Sequence, residues 1–201
     1  MSAYTRKDAA YRAAKRSGFR SRAALKLVEL DEKFRLFKPG AYVVDLGCWP
    51  GGWLQVAAER VGATGKVVGV DRERTDALGL PQVVIVTADA GDPAARQVVR
   101  ETLGRNADVI LSDMAPKLSG VKVADRERHL ALVALANEWA RELLATQGRA
   151  VVKLFSEVEA ESMRLLRGAF ADVSLHRPPS TRKGSSEIYA VASGPRGANC
   201  P

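Results

Sequence analysis

Four aspartates each stand at or near the end of a run of apolar residues. They are Asp45 after "AYVV", Asp71 after "VVGV", Asp89 after "VVIVTA" and Asp113 after "DVILS". Any one of them alone would most often be a turn residue or a helix N-cap. Four at the ends of successive predicted strands would meet at one rim of a parallel sheet, where ligands bind. Their carboxylates could accept hydrogen bonds from ribose hydroxyls and amino groups, which predicts a nucleoside site.

The stretch "DLGCWPGGW" at residues 45–53 joins the first of these strands to a predicted helix. Its glycines would let a ligand approach the backbone closely, because glycine has no side chain. The spacing matches neither the dinucleotide fingerprint G-x-G-x-x-G nor a phosphate loop that ends in Lys-Ser/Thr. Carboxylates at the same rim would repel a pyrophosphate but suit a cationic sulfonium with a free amino group. We therefore predict an S-adenosyl-L-methionine site made by Asp45, Gly47, Gly51, Gly52, Asp71, Asp89 and Asp113.

A second group of residues combines two lysines with two acids. Lys153 lies inside the apolar run "AVVKLF", Glu187 opens the strand in "SSEIYAVAS", and Lys26 lies in "RSRAALKLVEL". A lysine in a buried strand is costly unless it is paired, and Asp113 and Glu187 are its candidate partners. A structural ion pair, or a lysine stem that reaches the strand end, explains this pattern as well as a catalytic role does.

Strand and helix patterns alternate along most of the chain. Near-continuous Val, Ile and Leu runs are typical of parallel strands buried on both faces, and the predicted strands are 41–46, 67–71, 83–87, 108–112, 150–155 and 187–193. Helical patterns cover 5–37, with a break near Ser17-Gly18, and 52–61, 93–103, 125–145 and 157–170. This alternation predicts an α/β fold with a doubly wound, mostly parallel sheet.

Positive charge is concentrated near the N-terminus. Residues 1–40 hold eleven Lys or Arg and four Asp or Glu, a net charge of +7, whereas the whole chain of 201 residues carries +8. A basic arm on a nearly neutral body favours a polyanion such as nucleic acid, although an anionic membrane surface would attract the same arm.

Several other classes of protein fit the composition poorly. No apolar run approaches the roughly 20 residues needed to cross a bilayer. The first residues lack the apolar core of a secretory signal, so we expect a mature N-terminus. Cys48 and Cys200 are too few for a disulfide framework or a multi-cysteine zinc site. We expect a cytoplasmic monomer without a metal.

Six motifs in order along residues 15–193 resemble one known family. "RSRAALKLVELDEKF", "VVDLG", "PGGW", "SDMAP", "VVKLF" and "SSEIY" are similar to motifs of the FtsJ/RrmJ ribose 2′-O-methyltransferases, the bacterial ribosomal RNA large-subunit methyltransferase E group. The resemblance implies a seven-stranded, Rossmann-like methyltransferase fold with S-adenosyl-L-methionine as methyl donor. It also adds Trp53 to the cofactor residues. The sequence departs from the family at Cys48-Trp49, where small residues are usual.

The resemblance also implies a Lys-Asp-Lys-Glu tetrad, which here would be Lys26, Asp113, Lys153 and Glu187. In the expected reaction, methylation of a ribose 2′-hydroxyl, Lys153 would take the proton, while Asp113 and Glu187 would orient the lysines. Lys26 would position the hydroxyl or stabilise negative charge on its oxygen. The expected substrate is 23S ribosomal RNA, at a uridine in the assembled 50S subunit. The alternatives are a transfer-RNA 2′-O-methyltransferase and a non-catalytic RNA-binding or ribosome assembly factor.

The basic arm then becomes the predicted RNA contact. We expect a helical extension over 1–38 that contains Lys26, a catalytic domain over 39–195 and a tail over 196–201. The predicted RNA contacts, which would flank the tetrad, are Lys15, Arg16, Arg20, Arg22, Lys38, Arg182 and Lys183. Such contacts would hold phosphates and position the RNA without selecting its sequence.

Overall fold

The computed structural model of the protein describes residues 9–117 and 119–196. These residues form a seven-stranded sheet in the order β3-β2-β1-β4-β5-β7-β6. The strands are β1 Tyr42–Leu46, β2 Lys66–Asp71, β3 Val83–Thr87, β4 Ala107–Ser112, β5 Leu144–Phe155, β6 Phe170–His176 and β7 Glu187–Pro195. Neighbouring strands from β3 to β5 are parallel, and β7 runs antiparallel between β5 and β6. The predicted doubly wound, mostly parallel α/β fold is confirmed.

The described helices are α1 Ala9–Arg16, α2 Ala23–Phe34, α3 Gly52–Val61, α4 Pro93–Leu103, α5 Lys122–Leu143 and α6 Glu159–Ala169, and a 3₁₀ turn at Ser156–Val158 precedes α6. The predicted helices 52–61 and 93–103 have these bounds, and the long N-terminal helix is divided over residues 17–22. The first residues of the predicted N-terminal helix, Cys200 and most of the predicted tail lie outside the described residues.

The helices cover both faces of the sheet. On one face Val99 of α4, Trp139 of α5 and Leu166 of α6 are fully buried in a single core. On the other face Leu27 of α2 and Leu54 of α3 are fully buried in a second core. Central strands are therefore covered on both sides, which explains their continuous apolar runs. Among the described residues, no helix combines the length and the apolarity needed to cross a bilayer.

The sequence pattern does not predict β6, although the family resemblance implies seven strands. β6 lies at the edge of the sheet and pairs with β7. Ala171, Asp172 and Leu175 are exposed in this strand. β3 is an edge strand too, but β6 has Asp172, Ser174 and His176 between its apolar residues and therefore lacks the continuous apolar run from which β3 was predicted.

Candidate active site

An open cleft of about 620 Å³ lies at the carboxyl ends of β1, β2 and β4. Gly47, Asp71, Asp89 and Asp113, four of the predicted cofactor residues, line it. The lining from α5 and the loop after β4 is mostly apolar and includes Met114, Ala115, Pro116, Ala131, Leu132 and Leu135. A concave site of this size, with apolar walls and a few polar groups, is typical of small-molecule binding.

Backbone N–H groups hold two of the cleft carboxylates in place. Asp71 accepts hydrogen bonds from the N–H of Trp49 at 2.9 Å and from that of Glu73 at 2.8 Å. Asp89 Oδ1 accepts one from the N–H of Gly91 at 2.8 Å. A carboxylate has about four acceptor positions. Both side chains can therefore also accept from ribose hydroxyls or an amino group.

Asp45 is buried beneath this rim. It has no exposed surface, and neither carboxylate oxygen has a hydrogen-bond partner within residues 9–117 and 119–196. Burial, followed by the charges of Asp113 and Asp71, raises its pKa well above the ordinary 3.8. Asp45 does not line the cleft, so the acids available to a ligand there are Asp71, Asp89 and Asp113. These acids fit the ribose hydroxyls and the amino group of S-adenosyl-L-methionine.

The other predicted cofactor residues begin helix α3. Gly51 precedes the helix, and Gly52 and Trp53 are its first two residues. The indole of Trp53 is buried: its Nε1 donates to Ala23 O at 2.8 Å, and its ring lies 5.8 Å from that of Tyr189. The side chain thus supports the fold. Any contact with a ligand would come from the N–H groups of this first turn, which have no partner inside the helix.

The departure from the family pattern at residues 48 and 49 leaves the cleft open. Cys48 is buried, whereas Trp49 is 57% exposed. Neither residue lines the cleft. A tryptophan at this position therefore does not occupy the space predicted for the cofactor.

Strand register brings Asp113 and Lys153 together. Ser112 of β4 pairs with Val152 of β5, so the residues that follow them are neighbours. Lys153 Nζ lies 3.1 Å from Asp113 Oδ1 and donates to the Asp113 backbone oxygen at 2.7 Å. Lys153 is 7% exposed. The predicted pairing of this buried lysine is thus present.

Lys26 and Glu187 form a second pair beside the first. Lys26 Nζ, on α2, donates to Glu187 Oε2 at 2.8 Å, and Lys26 is 6% exposed. Burial alone would raise the pKa of Glu187, but Lys26, Lys153 and a hydrogen bond from Ser185 together hold it below its ordinary value. Glu187 therefore remains a carboxylate, and each buried lysine has an opposite charge in contact.

Tyr189, which the sequence motifs did not identify, joins the two pairs. Its hydroxyl donates to Asp113 Oδ1 at 2.7 Å and accepts from Lys26 Nζ at 3.3 Å. Burial, followed by the charges of Asp113 and Glu187, raises its pKa well above 10, so the hydroxyl keeps its proton. The signal was present in the sequence: residues two apart in a strand face the same side, and Tyr189 lies two residues after Glu187.

The predicted RNA contacts differ in their exposure and in the hydrogen bonds that they make within the protein. Lys15 and Arg16 are exposed on α1, and Arg182 and Lys183 are exposed in the loop between β6 and β7. Arg22 donates to Ser180 O in that loop at 2.9 Å, and Arg20 donates to backbone oxygens near the cleft. That these residues bind RNA stays a prediction.

Lys38 does not flank the lysine–acid group as predicted. It precedes β1 and lies close to Asp108, at the amino ends of the strands. Helix α2 has 12 residues, which span about 18 Å. It carries the chain from Lys26, near the carboxyl ends of the strands, towards their amino ends. Membership of the basic arm therefore does not place Lys38 beside the lysine–acid group.

No group of three or more His, Cys, Asp or Glu side chains within the described ranges is arranged to hold a metal ion. The lysine–acid group and the acid-lined cleft share Asp113, so a ligand in the cleft would lie next to the carboxylate that pairs with Lys153. This arrangement fits transfer of a group from a bound cofactor to a second substrate.

Comparisons with known proteins agree with this geometry. The family model described as FtsJ-like methyltransferase matches residues 19–195. Ribosomal RNA large subunit methyltransferase E of Halorubrum lacusprofundi is 44% identical over 190 residues, which are 94% of this chain and 71% of the relative. The protein of that name from Rhodopseudomonas palustris is 45% identical over 188 residues, 92% of this chain and 78% of the relative.

Among solved structures, a ribosomal RNA methyltransferase from Plasmodium falciparum superimposes with a TM-score of 0.77 at 29% identity. The match covers 89% of this chain and 100% of that one. The chain therefore belongs to the FtsJ-like methyltransferase family and uses S-adenosyl-L-methionine as its methyl donor.

Proposed function

We propose that this protein methylates a ribose 2′-hydroxyl of large-subunit ribosomal RNA. The observation that carries the proposal is the buried network of Lys26, Glu187, Tyr189, Asp113 and Lys153 beside the cofactor cleft. Support for the substrate comes from relatives that are named for this RNA and match 92–94% of the chain. A uridine in the assembled 50S subunit is the finer form of the proposal.

The network supplies what a ribose hydroxyl needs. This hydroxyl is a weak nucleophile, so it has to be aimed and relieved of its proton. S-adenosyl-L-methionine supplies, when bound, a methyl group on a positively charged sulfur. Lys153 Nζ, held by Asp113 at the edge of the cleft, is the proposed proton acceptor. This role requires a neutral amine at Nζ, because an ammonium has no lone pair to take the proton.

The other members of the network have supporting roles in this proposal. Lys26 donates a hydrogen bond to the 2′-oxygen and stabilises its developing negative charge. Asp113 and Glu187 orient the two lysines, and Tyr189 fixes the distance between the pairs. All five residues come from one chain, which supports a protein that acts as a monomer, and a ribosomal substrate supports a cytoplasmic location.

The test compares three RNA substrates. The protein is incubated with methyl-labelled cofactor and 50S subunits, free 23S ribosomal RNA or transfer RNA, and the labelled ribose is then mapped. We expect label at a ribose 2′-oxygen of the large-subunit RNA, and most of it with 50S subunits. Label in transfer RNA alone would instead support the transfer-RNA enzyme. RNA binding without label on any substrate would support an assembly factor.

Basic residues at the carboxyl rim should hold the RNA backbone. Lys15, Arg16, Arg182 and Lys183 are exposed, and each phosphate contact releases counterions. We expect RNA affinity to fall steeply with added salt, and replacing all four by alanine to reduce the slope of log K against log salt by about 3. Arg141→Ala, an exposed arginine at the far end of α5, serves as the control. A slope unaffected by the fourfold change would remove these residues from the interface.

A further inference from the structure

The linker at residues 17–22, between α1 and α2, is bonded to two loops beside the cofactor cleft. The Arg20 guanidinium donates to Asp76 O at 2.5 Å and Ala77 O at 2.7 Å, and reaches Pro50 O at 3.4 Å. Pro50 belongs to the loop after β1, and Asp76 and Ala77 belong to the loop after β2. One side chain therefore spans the two loops.

A glutamine on α3 fixes the same linker through its backbone. Gln55 Oε1 accepts a hydrogen bond from the Arg20 N–H at 2.7 Å, and Gln55 Nε2 donates to Gly18 O at 3.1 Å. Both ends of the Gly18–Arg20 segment are thus bonded to one side chain. The Arg20 guanidinium is held above the start of α3 as a result.

The two glycines before Trp53 give the linker room to approach. A Cβ on Gly51 would lie 3.1 Å from Arg20 Nη1, and a Cβ on Gly52 would overlap Ser21 Oγ. Gly51 also has a φ of +107°, which side-chain-bearing residues rarely adopt. The glycine pair that the sequence predicted as a cradle for the ligand therefore also makes room for the protein's own linker.

Both loops that Arg20 joins carry groups of the cofactor cleft. Gly47 precedes Pro50 in the first loop, and Asp71 begins the second; both line the cleft. The N–H of Trp49 donates to Asp71 at 2.9 Å, so the loops also touch each other at the cleft. A shift of either loop would move the Asp71 carboxylate relative to Gly47, and Arg20 opposes such a shift.

We propose that Arg20 is a positioning residue for the cofactor cleft. Its guanidinium holds the loops after β1 and β2 at the spacing that S-adenosyl-L-methionine requires. Arg20 acts through the backbone of both loops and not through contact with RNA. The proposal depends on the cofactor cleft and not on which RNA is methylated.

A lysine at this position separates the two roles. Lysine keeps the positive charge that a phosphate contact needs, but its single ammonium cannot reproduce the fork of a guanidinium that bonds several carbonyls at once. Arg20→Lys should therefore bind the cofactor almost as poorly as Arg20→Ala, while its RNA affinity stays that of the unmodified protein.

The experiment measures the dissociation constant of S-adenosyl-L-methionine by calorimetry without RNA, and then the steady-state constants with RNA. We expect Arg20→Ala and Arg20→Lys to raise the dissociation constant roughly tenfold. The KM for the cofactor should rise in parallel, with kcat at saturating cofactor and the KM for RNA unchanged. Arg141→Ala removes the same charge at the opposite edge of the sheet and should leave cofactor binding unchanged.

Gln55→Ala provides a second variant in case the arginine variants do not fold. It removes the two bonds that hold the linker and should raise the dissociation constant roughly threefold. Cofactor binding by Arg20→Lys equal to that of the unmodified protein would overturn the proposal, as would normal cofactor binding by both Arg20→Ala and Gln55→Ala. Cofactor binding is measured without RNA. The role of Arg20 can therefore be tested even if the protein does not methylate the proposed RNA.

Discussion

The cofactor cleft and the lysine–acid network share Asp113, but they are built in opposite ways. In the cleft, Asp71 and Asp89 are bonded to backbone N–H groups and keep further acceptor positions, although Asp89 also lies 3.7 Å from Arg72. Beneath the cleft, Asp45 has no hydrogen-bond partner among the described residues. In the network, Lys26 and Lys153 each contact a carboxylate within about 3 Å. The acids of the cleft can still accept hydrogen bonds from a ligand, whereas the charged groups of the network are paired with one another.

This difference has a physical reason. A binding site gains affinity when the ligand satisfies groups that the protein has left without partners. A catalytic group gains rate when its position is fixed before the reaction, so that little reorganisation is needed. Asp113 belongs to both sites, since it lines the cleft and bonds Lys153 and Tyr189. It is thus the residue through which the position of the cofactor and that of the lysines are linked.

The largest effect should come from Lys153→Ala. If Lys153 takes the proton of the 2′-hydroxyl, its loss should lower kcat about 1,000-fold and leave the dissociation constant of S-adenosyl-L-methionine unchanged. Single-turnover methyl transfer and calorimetry measure the two quantities. Lys66→Ala, which removes a lysine bonded to Thr102 O, is the control for loss of a half-buried lysine. Near-normal transfer by Lys153→Ala would refute the assignment.

Asp71→Asn should weaken cofactor binding in the cleft and leave the catalytic rate of the network unchanged. The amide keeps one acceptor oxygen but loses the negative charge and places N–H donors where ribose hydroxyls would donate. We expect the dissociation constant of the cofactor to rise about tenfold, with kcat at saturating cofactor close to that of the unmodified protein. Asp172→Asn, at an exposed position of β6, is the matched control. A lower kcat with normal cofactor affinity would mean that the two sites are not separable.

The cleft could be predicted from the sequence better than the network. Parallel strands that follow one another along the chain end at one rim, so Asp71, Asp89 and Asp113 are identified by position alone. For Lys153 the sequence names two candidate partners, Asp113 and Glu187, and the register between β4 and β5 brings Asp113 into contact. Tyr189 was missed because its ring fits an apolar strand, although its position two residues after Glu187 indicated that both side chains face the same side.

Two further differences come from the path of the chain between elements. Lys38 was grouped with the RNA contacts because it belongs to the basic arm, although α2 separates it from Lys26 by the height of the sheet. Gly51 and Gly52 were assigned to the ligand because glycine indicates close approach, but it does not indicate what approaches. In the structure the residues nearest to added Cβ atoms include Arg20 and Ser21.

Tyr189→Phe tests whether methyl transfer requires the hydroxyl that links the two lysine–acid pairs. The change removes the hydroxyl that links Asp113 to Lys26 and keeps the ring beside Trp53. We expect kcat to fall about tenfold through loss of positioning, with unchanged cofactor affinity and a loss of about 1–2 kcal/mol in the free energy of unfolding. Tyr42→Phe, at the first residue of β1, is the control for loss of a tyrosine hydroxyl. If kcat is unchanged while stability falls, Tyr189 has a structural role alone.

Asp45→Asn should give the smallest effect and one that depends on pH. Because burial raises the pKa of Asp45 above 3.8, the folded protein keeps this proton to a higher pH than the unfolded chain does. Folding stability due to Asp45 is therefore full below pH 3.8 and is lost as the pH rises towards the folded pKa. Asparagine cannot ionise, so the stability of the variant relative to the unmodified protein should rise as the pH increases above 3.8.

Chemical denaturation of both proteins at several pH values measures this gain, and calorimetry at each pH measures the cofactor dissociation constant. If the unpartnered carboxyl is kept for the ligand, the variant that is more stable should also bind S-adenosyl-L-methionine more weakly. A stability difference that shrinks as the pH rises would contradict the raised pKa. Unchanged cofactor binding would show that Asp45 belongs to the fold of the first strand and not to the cleft, and would leave Asp71 and Asp89 as the acids that the ligand uses.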